Sequence, residues 1–276
     1  MVYAIGTLDG YAFLVQRGDT GVFDMHRLVH LATRIWIGRE GRTSQAEREA
    51  TGHVSTIFPS PDYQNQHQWR EYMPHALRLL QGDNTVELAK RYNLCNKVGL
   101  CFRVDGQIKD AVRYLEESCH WRRDRLPPDD ASRLESQYTL AVIYLENGQI
   151  EEAITLLKEV IKIQKQTLKV DHLDRLASQH NLAGAYQANG QFEEAVTLLK
   201  EVIKIKEQTL KVNHPSRLMS QEQLATVYWD LGQREAALQL MEHVVEVRKE
   251  VLAEDHPYRK NSEEWLEYFR NELANS

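Results

Sequence analysis

GQIEEAITLLKEVIKIQKQTLKVDHL (Gly148–Leu173) and GQFEEAVTLLKEVIKIKEQTLKVNHP (Gly190–Pro215) agree at 20 of 26 positions. Agreement over that length within one chain points to duplication of a structural unit. The Gly-Gln pair that opens both stretches also occurs at Gly106-Gln107 and Gly232-Gln233, so four copies stand 42 residues apart. In the same register lie Ala111, Ala153, Ala195 and Ala237. Upstream of each Gly are Val98, Leu140, Leu182 and Leu224, each followed by a small residue (Gly99, Ala141, Ala183, Ala225). Phe102, Tyr144, Tyr186 and Tyr228 come next.

Each unit reads as two helices. The first, over 176–188, places Leu182, Ala183 and Tyr186 on one face at helical spacing. Asn189-Gly190 ends it, because both residues tolerate the left-handed conformation that closes a helix. In the second, Phe192, Ala195, Val196, Leu199, Val202 and Ile203 form a stripe that Leu198 and Ile205 widen. A wide stripe is needed where a helix packs on its own partner and on the next unit. Small residues at Ala183 and Ala195 allow the axes to approach closely. Glu193 and Glu194 in the first turn, with Lys204 and Lys206 further along, suit the helix dipole. The linkers Val170-Asp171-His172, Val212-Asn213-His214 and Asp255-His256-Pro257 supply cap-like and breaker residues.

The pattern L-A-x-x-Y, G-Q-x-x-x-A and a long second helix ending near D/N-H-P resembles the tetratricopeptide repeat. Its 42-residue period is similar to the variant in kinesin light chains and many fungal multidomain proteins. The resemblance implies an all-α, right-handed superhelical solenoid of helix pairs. Four repeats are expected over 85–257 and a C-terminal capping helix within 258–276, where Asn261 to Leu273 reads as polar-faced.

The N-terminal third differs. Leu8 to Leu14, a polar turn from Gln16 to Gly21, and VFDMHRLVHLATRIW (Val22–Trp36) resemble the winged-helix module of fungal signalling ATPases of the STAND or NB-ARC class. The expected layout is a partial winged-helix-like module over 1–43 and a helical connecting arm over 44–84. The resemblance further implies a C-terminal part of a larger receptor. There His26 would contact nucleotide phosphate, and nucleotide would enter only through an upstream domain. Arg27 departs from the better-known motif, which has Asp after the His.

Composition narrows the function. The formal charge is -6, which disfavours nucleic acid or an anionic membrane as the main partner. No apolar run approaches the roughly 18 residues a membrane span needs, and the first residues do not read as a secretory signal. Cys95, Cys101 and Cys119 fit reduced, packed thiols, so a cytoplasmic location is expected.

Chemistry is not visible. Gly-Lys occurs nowhere in the chain, so there is no phosphate-cradling loop, and no G-x-G-x-x-G or G-x-S-x-G is present. His26 and His30 stand four apart without a third ligand, so no metal is expected. His172, His214 and His256 recur with the period, as linker residues would. The recurrent acid pairs (Glu151-Glu152, Glu193-Glu194) sit in equivalent first turns, unlike catalytic carboxylates, which need unlike surroundings. No enzyme activity and no cofactor are therefore expected.

What remains is a protein-binding groove lined by the first helices, with a protein or peptide as partner. By resemblance to the repeat family, its inward positions include Asn96, Tyr138, Thr139, His180, Asn181, Gln187, Glu222, Gln223 and Trp229. In H-N-L-A, Asn181 would hold a peptide backbone, since an amide both donates and accepts. Tyr138, His180 and Glu222 stand where readers of terminal carboxylates carry Lys or Arg, so no carboxylate clamp is expected. The expected function is a protein–protein interaction scaffold, the ligand-sensing part of a STAND- or NLR-like signalling protein. Alternatives are a regulatory part of a nucleotide-hydrolysing enzyme and a kinesin-light-chain-like cargo adaptor.

Overall fold

The computed structural model describes residues 14–16, 23–25, 27–81 and 88–275. His26 and the segments flanking the first strand lie outside them. The chain forms two compact units, Met1–Cys101 and Phe102–Ser276.

In the first unit, β1 (Leu14–Gln16) and β2 (Phe23–Met25) pair antiparallel, with Leu14 opposite Met25. Helices α1 (Arg27–Arg39), α2 (Thr43–Ile57) and α3 (Gln66–Leu80) follow, then α4 (Leu88–Val104), whose last turn belongs to the second unit. Trp69 is fully buried, and Phe58 meets Tyr72 edge-on. Two cations close helix ends. Lys97 Nζ donates to Ser55 O (2.9 Å) and Phe58 O (3.1 Å), and Arg91 donates to Leu80 O (2.9 Å). Both satisfy carbonyls that a helix C-terminus leaves without partners. Lys97 therefore works as a helix-end anchor.

The second unit is a run of antiparallel helices: α5 (Ile108–Arg125), α6 (Ala131–Glu146), α7 (Ile150–Thr167), α8 (Leu173–Ala188), α9 (Phe192–Thr209), α10 (Pro215–Asp230), α11 (Arg234–Val251) and α12 (Pro257–Ala274). Each packs on its neighbour in sequence. The six strand residues of the hairpin leave the class all-α.

Stacking runs through shared cores. Ala141 of α6, Leu157 and Ile161 of α7, and Leu182 and Ala185 of α8 form one cluster. Ala183 of α8, Ala195 and Leu199 of α9, and Leu224 and Val227 of α10 form the next. One helix thus contributes Leu182 backwards and Ala183 forwards. A fully buried leucine such as Leu157 or Leu199 contributes about 2 kcal/mol relative to exposure.

Two kinds of punctuation set the register. Gly106, Gly148, Gly190 and Gly232 all have positive φ, from 73° to 81°, between paired helices. Between pairs, the His172, His214 and His256 rings accept the N–H of Asp174, Ser216 and Tyr258 through Nδ1 at 3.2–3.3 Å. Asp130 does the same for Arg133 N. The recurrent histidines are helix N-caps, which satisfy an otherwise orphaned donor. Helix α8 consequently begins at Leu173 and α12 at Pro257, both earlier than the apolar pattern suggests. Trp265 and Tyr268 are 39 % and 46 % exposed on α12, so the expected polar-faced cap carries two aromatic rings.

Candidate protein-binding groove

The first helices of successive pairs also touch one another, α6 with α8 and α8 with α10. Polar side chains bridge them. Asn181 Nδ2 donates to Tyr138 Oη (2.7 Å), and Gln187 Nε2 donates to Asp230 Oδ2 (2.7 Å). In the register of that second bond, Arg103 grips Glu146 with both Nε and Nη2. Burial pushes the Tyr138 phenol above its usual range, so it stays protonated and can still donate.

Beneath this row lies a second recurring feature. Arg122, Lys206 and Arg248 occupy the last turns of α5, α9 and α11, and all three are buried. Each donates to a carbonyl in the first turn of the next helix: Arg122 to Ser132 O (3.4 Å), Lys206 to Ser216 O (2.9 Å), Arg248 to Tyr258 O (2.7 Å). A cation there also suits the negative end of the second helix. Arg248 pairs with Glu222 at 2.8 Å. Lys206 has Ser220 Oγ at 2.8 Å, which in turn lies 3.2 Å from His180 Nδ1. Burial lowers Lys206 to about 8. Burial, reinforced by the Lys206 charge, lowers His180 to about 4. His180 is thus a neutral ring at pH 7.

Two hollows open on this side. One, of about 700 Å³, lies between α8, α10 and α12 and is walled by Met219, Pro257, Tyr258 and Trp265 with Glu222 and Asp230. The other, of about 560 Å³, lies between α6 and α8 over the end of α7, and its charged lining residues are Asp129, Glu135 and Asp174. Between the second helices α7 and α9, by contrast, Lys158, Lys162 and Lys165 face Glu193, Glu194 and Glu201.

Comparison with known proteins fits this geometry. The tetratricopeptide repeat family model matches residues 130–208 and 174–250. A crystal structure of a substituted form of a putative kinesin light chain of Podosopora anserina, with nearly identical TPR-like repeats, is 35% identical. It matches 75% of this chain and 94% of its own with a TM-score of 0.60. The chain belongs to the tetratricopeptide repeat family. A second crystal structure of the Podosopora anserina repeats gives 35% identity, coverage of 76% and 97%, and a TM-score of 0.58. A nucleotide-binding leucine-rich repeat (NLR)-like protein of Hyaloscypha variabilis is 33% identical over 123 residues, 44% of this chain. This chain spans only 12% of that relative's length. A tetratricopeptide scaffold of this kind is suited to protein–protein interaction.

Within the repeats, the residues expected to line the groove separate by position. His180, Gln187, Glu222 and Gln223 share the larger hollow, and Tyr138 and Thr139 the smaller. Asn181 sits between them, its amide donor committed to Tyr138. Trp229 is elsewhere: its ring stacks on Phe269 (4.2 Å, 4°), with Arg234 over it at 5.0 Å. Asn96 is half-buried on α4 in the first unit. A Cβ at Gly184 would come within 2.8 Å of Gln223 Nε2, the movable end of a flexible side chain. His26, expected as the nucleotide contact, lies outside the described residues. All three cysteines are buried and none forms a disulfide. Among the described residues no helix is long and apolar enough to cross a membrane.

Sequence reading missed Asp174, Asp230, Tyr258 and Trp265. Their signal was available in the register: Asp230 lies one residue beyond an expected groove position, and Trp265 stands 42 residues after Gln223.

Proposed function

We propose that the inner face of the repeats binds a segment of a protein partner, and that the chain is the ligand-sensing part of an NLR-like signalling protein in the cytoplasm. The observation that carries the first statement is the pair of hollows along α6, α8, α10 and α12, each mixing apolar walls with carboxylates and, in the smaller one, with no basic side chain in the lining. Such a mixture anchors an extended segment by side chains and orients it by charge. The second statement is supported by the likeness to the NLR-like protein of Hyaloscypha variabilis. In this reading residues 1–43 are a partial winged-helix module, 44–84 an arm, 85–257 four repeats and 258–276 a cap. The repeats sense a partner without performing chemistry on it, and an upstream domain supplies the nucleotide switch.

Likeness to the Podosopora anserina repeats favours a second reading, a cargo adaptor built on the same groove. Site-specific photo-crosslinking tests the groove shared by both. A crosslinker at Thr139 or Met219 should capture a partner, and one at Lys162 or Glu201, on the opposite helices, should not. Capture only from Lys162 or Glu201 would move the binding face to the second helices. A P-loop encoded upstream in the same reading frame separates the receptor from the adaptor.

A further inference from the structure

We propose that the hollow between α6 and α8 receives a lysine or arginine side chain from the partner segment, in the place where the other junctions hold a cation of their own. The inference rests on the groove reading and specifies its ligand.

Four junctions join a second helix to the next first helix, and three are filled alike. Arg122, Lys206 and Arg248 each bring a buried positive charge to a first-turn carbonyl. At the junction of α7 with α8 the same register holds Gln164, which is neutral. Gln164 is 5 % exposed and its Oε1 has no hydrogen-bond partner. An unsatisfied buried acceptor is unfavourable, and a donor that reaches it relieves the cost. Gln164 lines the 560 Å³ hollow directly.

The rest of the lining asks for the same ligand. Asp129, Glu135 and Asp174 surround the hollow, and among the described residues no basic side chain lines it. Thr167 and Leu168, at the end of α7, bring the negative pole of that helix to it. Leu134, Leu168, Ala131 and Ala177 provide an apolar sleeve for the methylene stem of a long basic side chain. Tyr138 Oη, already accepting from Asn181, adds an oxygen at the rim. An acidic segment would meet three carboxylates and no basic side chain in the lining. Two cations that act on the hollow are already engaged, Arg175 on Leu168 O at 3.4 Å and Arg122 beside Glu135. The ligand is thus a cationic side chain on a long methylene stem, carried by the partner segment of the groove reading.

Nuclear magnetic resonance of the full chain tests this with two probes, N-acetyl-Leu-Arg-Leu amide and its Leu-Gln-Leu counterpart. The arginine peptide should shift the amides of 131–139 and 164–177 saturably, and the glutamine peptide should bind about tenfold more weakly or worse. Gln164→Lys, which refills the junction as Lys206 does, should weaken the arginine peptide by about tenfold or more while the melting temperature holds. Asp174→Asn combined with Glu135→Gln should weaken it too. Equal binding of both peptides, undiminished binding by Gln164→Lys, or no saturable shift at all overturns the proposal. Spermidine shifting the same amides as strongly as the peptide overturns the assignment to a protein segment. Crosslinks captured from Met219 despite such a failure would leave the groove reading standing; their loss as well would end both.

Discussion

Arg248 on α11 and Glu222 on α10 meet at 2.8 Å, with the guanidinium 2 % exposed, and Asn261 of α12 donates to the same carboxylate at 2.9 Å. One ion pair therefore ties three helices, including the terminal one. Removing the cation would strand a half-buried carboxylate and free Tyr258 O. Arg248→Ala should cost about 3–5 kcal/mol in urea unfolding. A loss under about 1 kcal/mol would show that α12 is held by its apolar contacts with Met241 and Val245 alone.

Acid should weaken the fold through His180. In the unfolded chain its imidazole takes a proton near 6.5, but in the fold only near 4. Between those values the unfolded state binds more protons, so stability falls as pH drops from 6.5 towards 4. Lys206, lowered from 10.5 to about 8, acts with the same sign on the alkaline side. Stability rises there between pH 8 and 10.5. Melting temperatures of the parent and His180→Gln across the acid range should diverge, with the variant less acid-sensitive; parallel curves would contradict this.

Gly190 has φ 74° and an added Cβ there would meet nothing within 4 Å. The cost of Gly190→Ala is thus backbone strain without a clash, about 1 kcal/mol or somewhat more. Gly190→Asn should cost less, because Asn tolerates that conformation. Denaturation midpoints of the two variants give the comparison.

Trp229→Ala should act on stability before affinity. Its ring lies flat on Phe269, which is fully buried, and packs against the last core cluster. A loss of about 2–4 kcal/mol is expected. Met219→Asp, at an exposed hollow wall, should leave the melting temperature nearly unchanged and reduce partner capture.

The repeat, its helix pairs and the shared cores were legible because apolar periodicity is decided by burial, and burial alternates at a fixed spacing here. Helix starts were less so. Histidine seldom announces a cap, yet His172 and His256 perform that role through Nδ1. The buried cations were opaque for another reason. Lys204 and Lys206 are two residues apart and read alike as solvated dipole partners, but Lys204 is exposed and Lys206 is 3 % exposed. Helical spacing separates them, since Lys206 continues the stripe of Leu199, Val202 and Ile203 whereas Lys204 falls off it, but the charge of Lys206 disguised the inward position. Trp229 shows the converse, a position expected at the groove whose ring the terminal helix claims. The exchange of Gln164 for Lys206 was one of six differences between two nearly identical stretches, and its meaning emerged only when both were seen at equivalent junctions.

Because α7 and α9 contact their neighbours through the same register, excising 42 residues from any point in one to the matching point in the other would rejoin chemically compatible surfaces. Insertion by the same step would lengthen the array. A lineage carrying such near-duplicate coding stretches can vary the reach of its inner face by whole units through recombination, while the hydrophobic seams that hold the units together stay as they are.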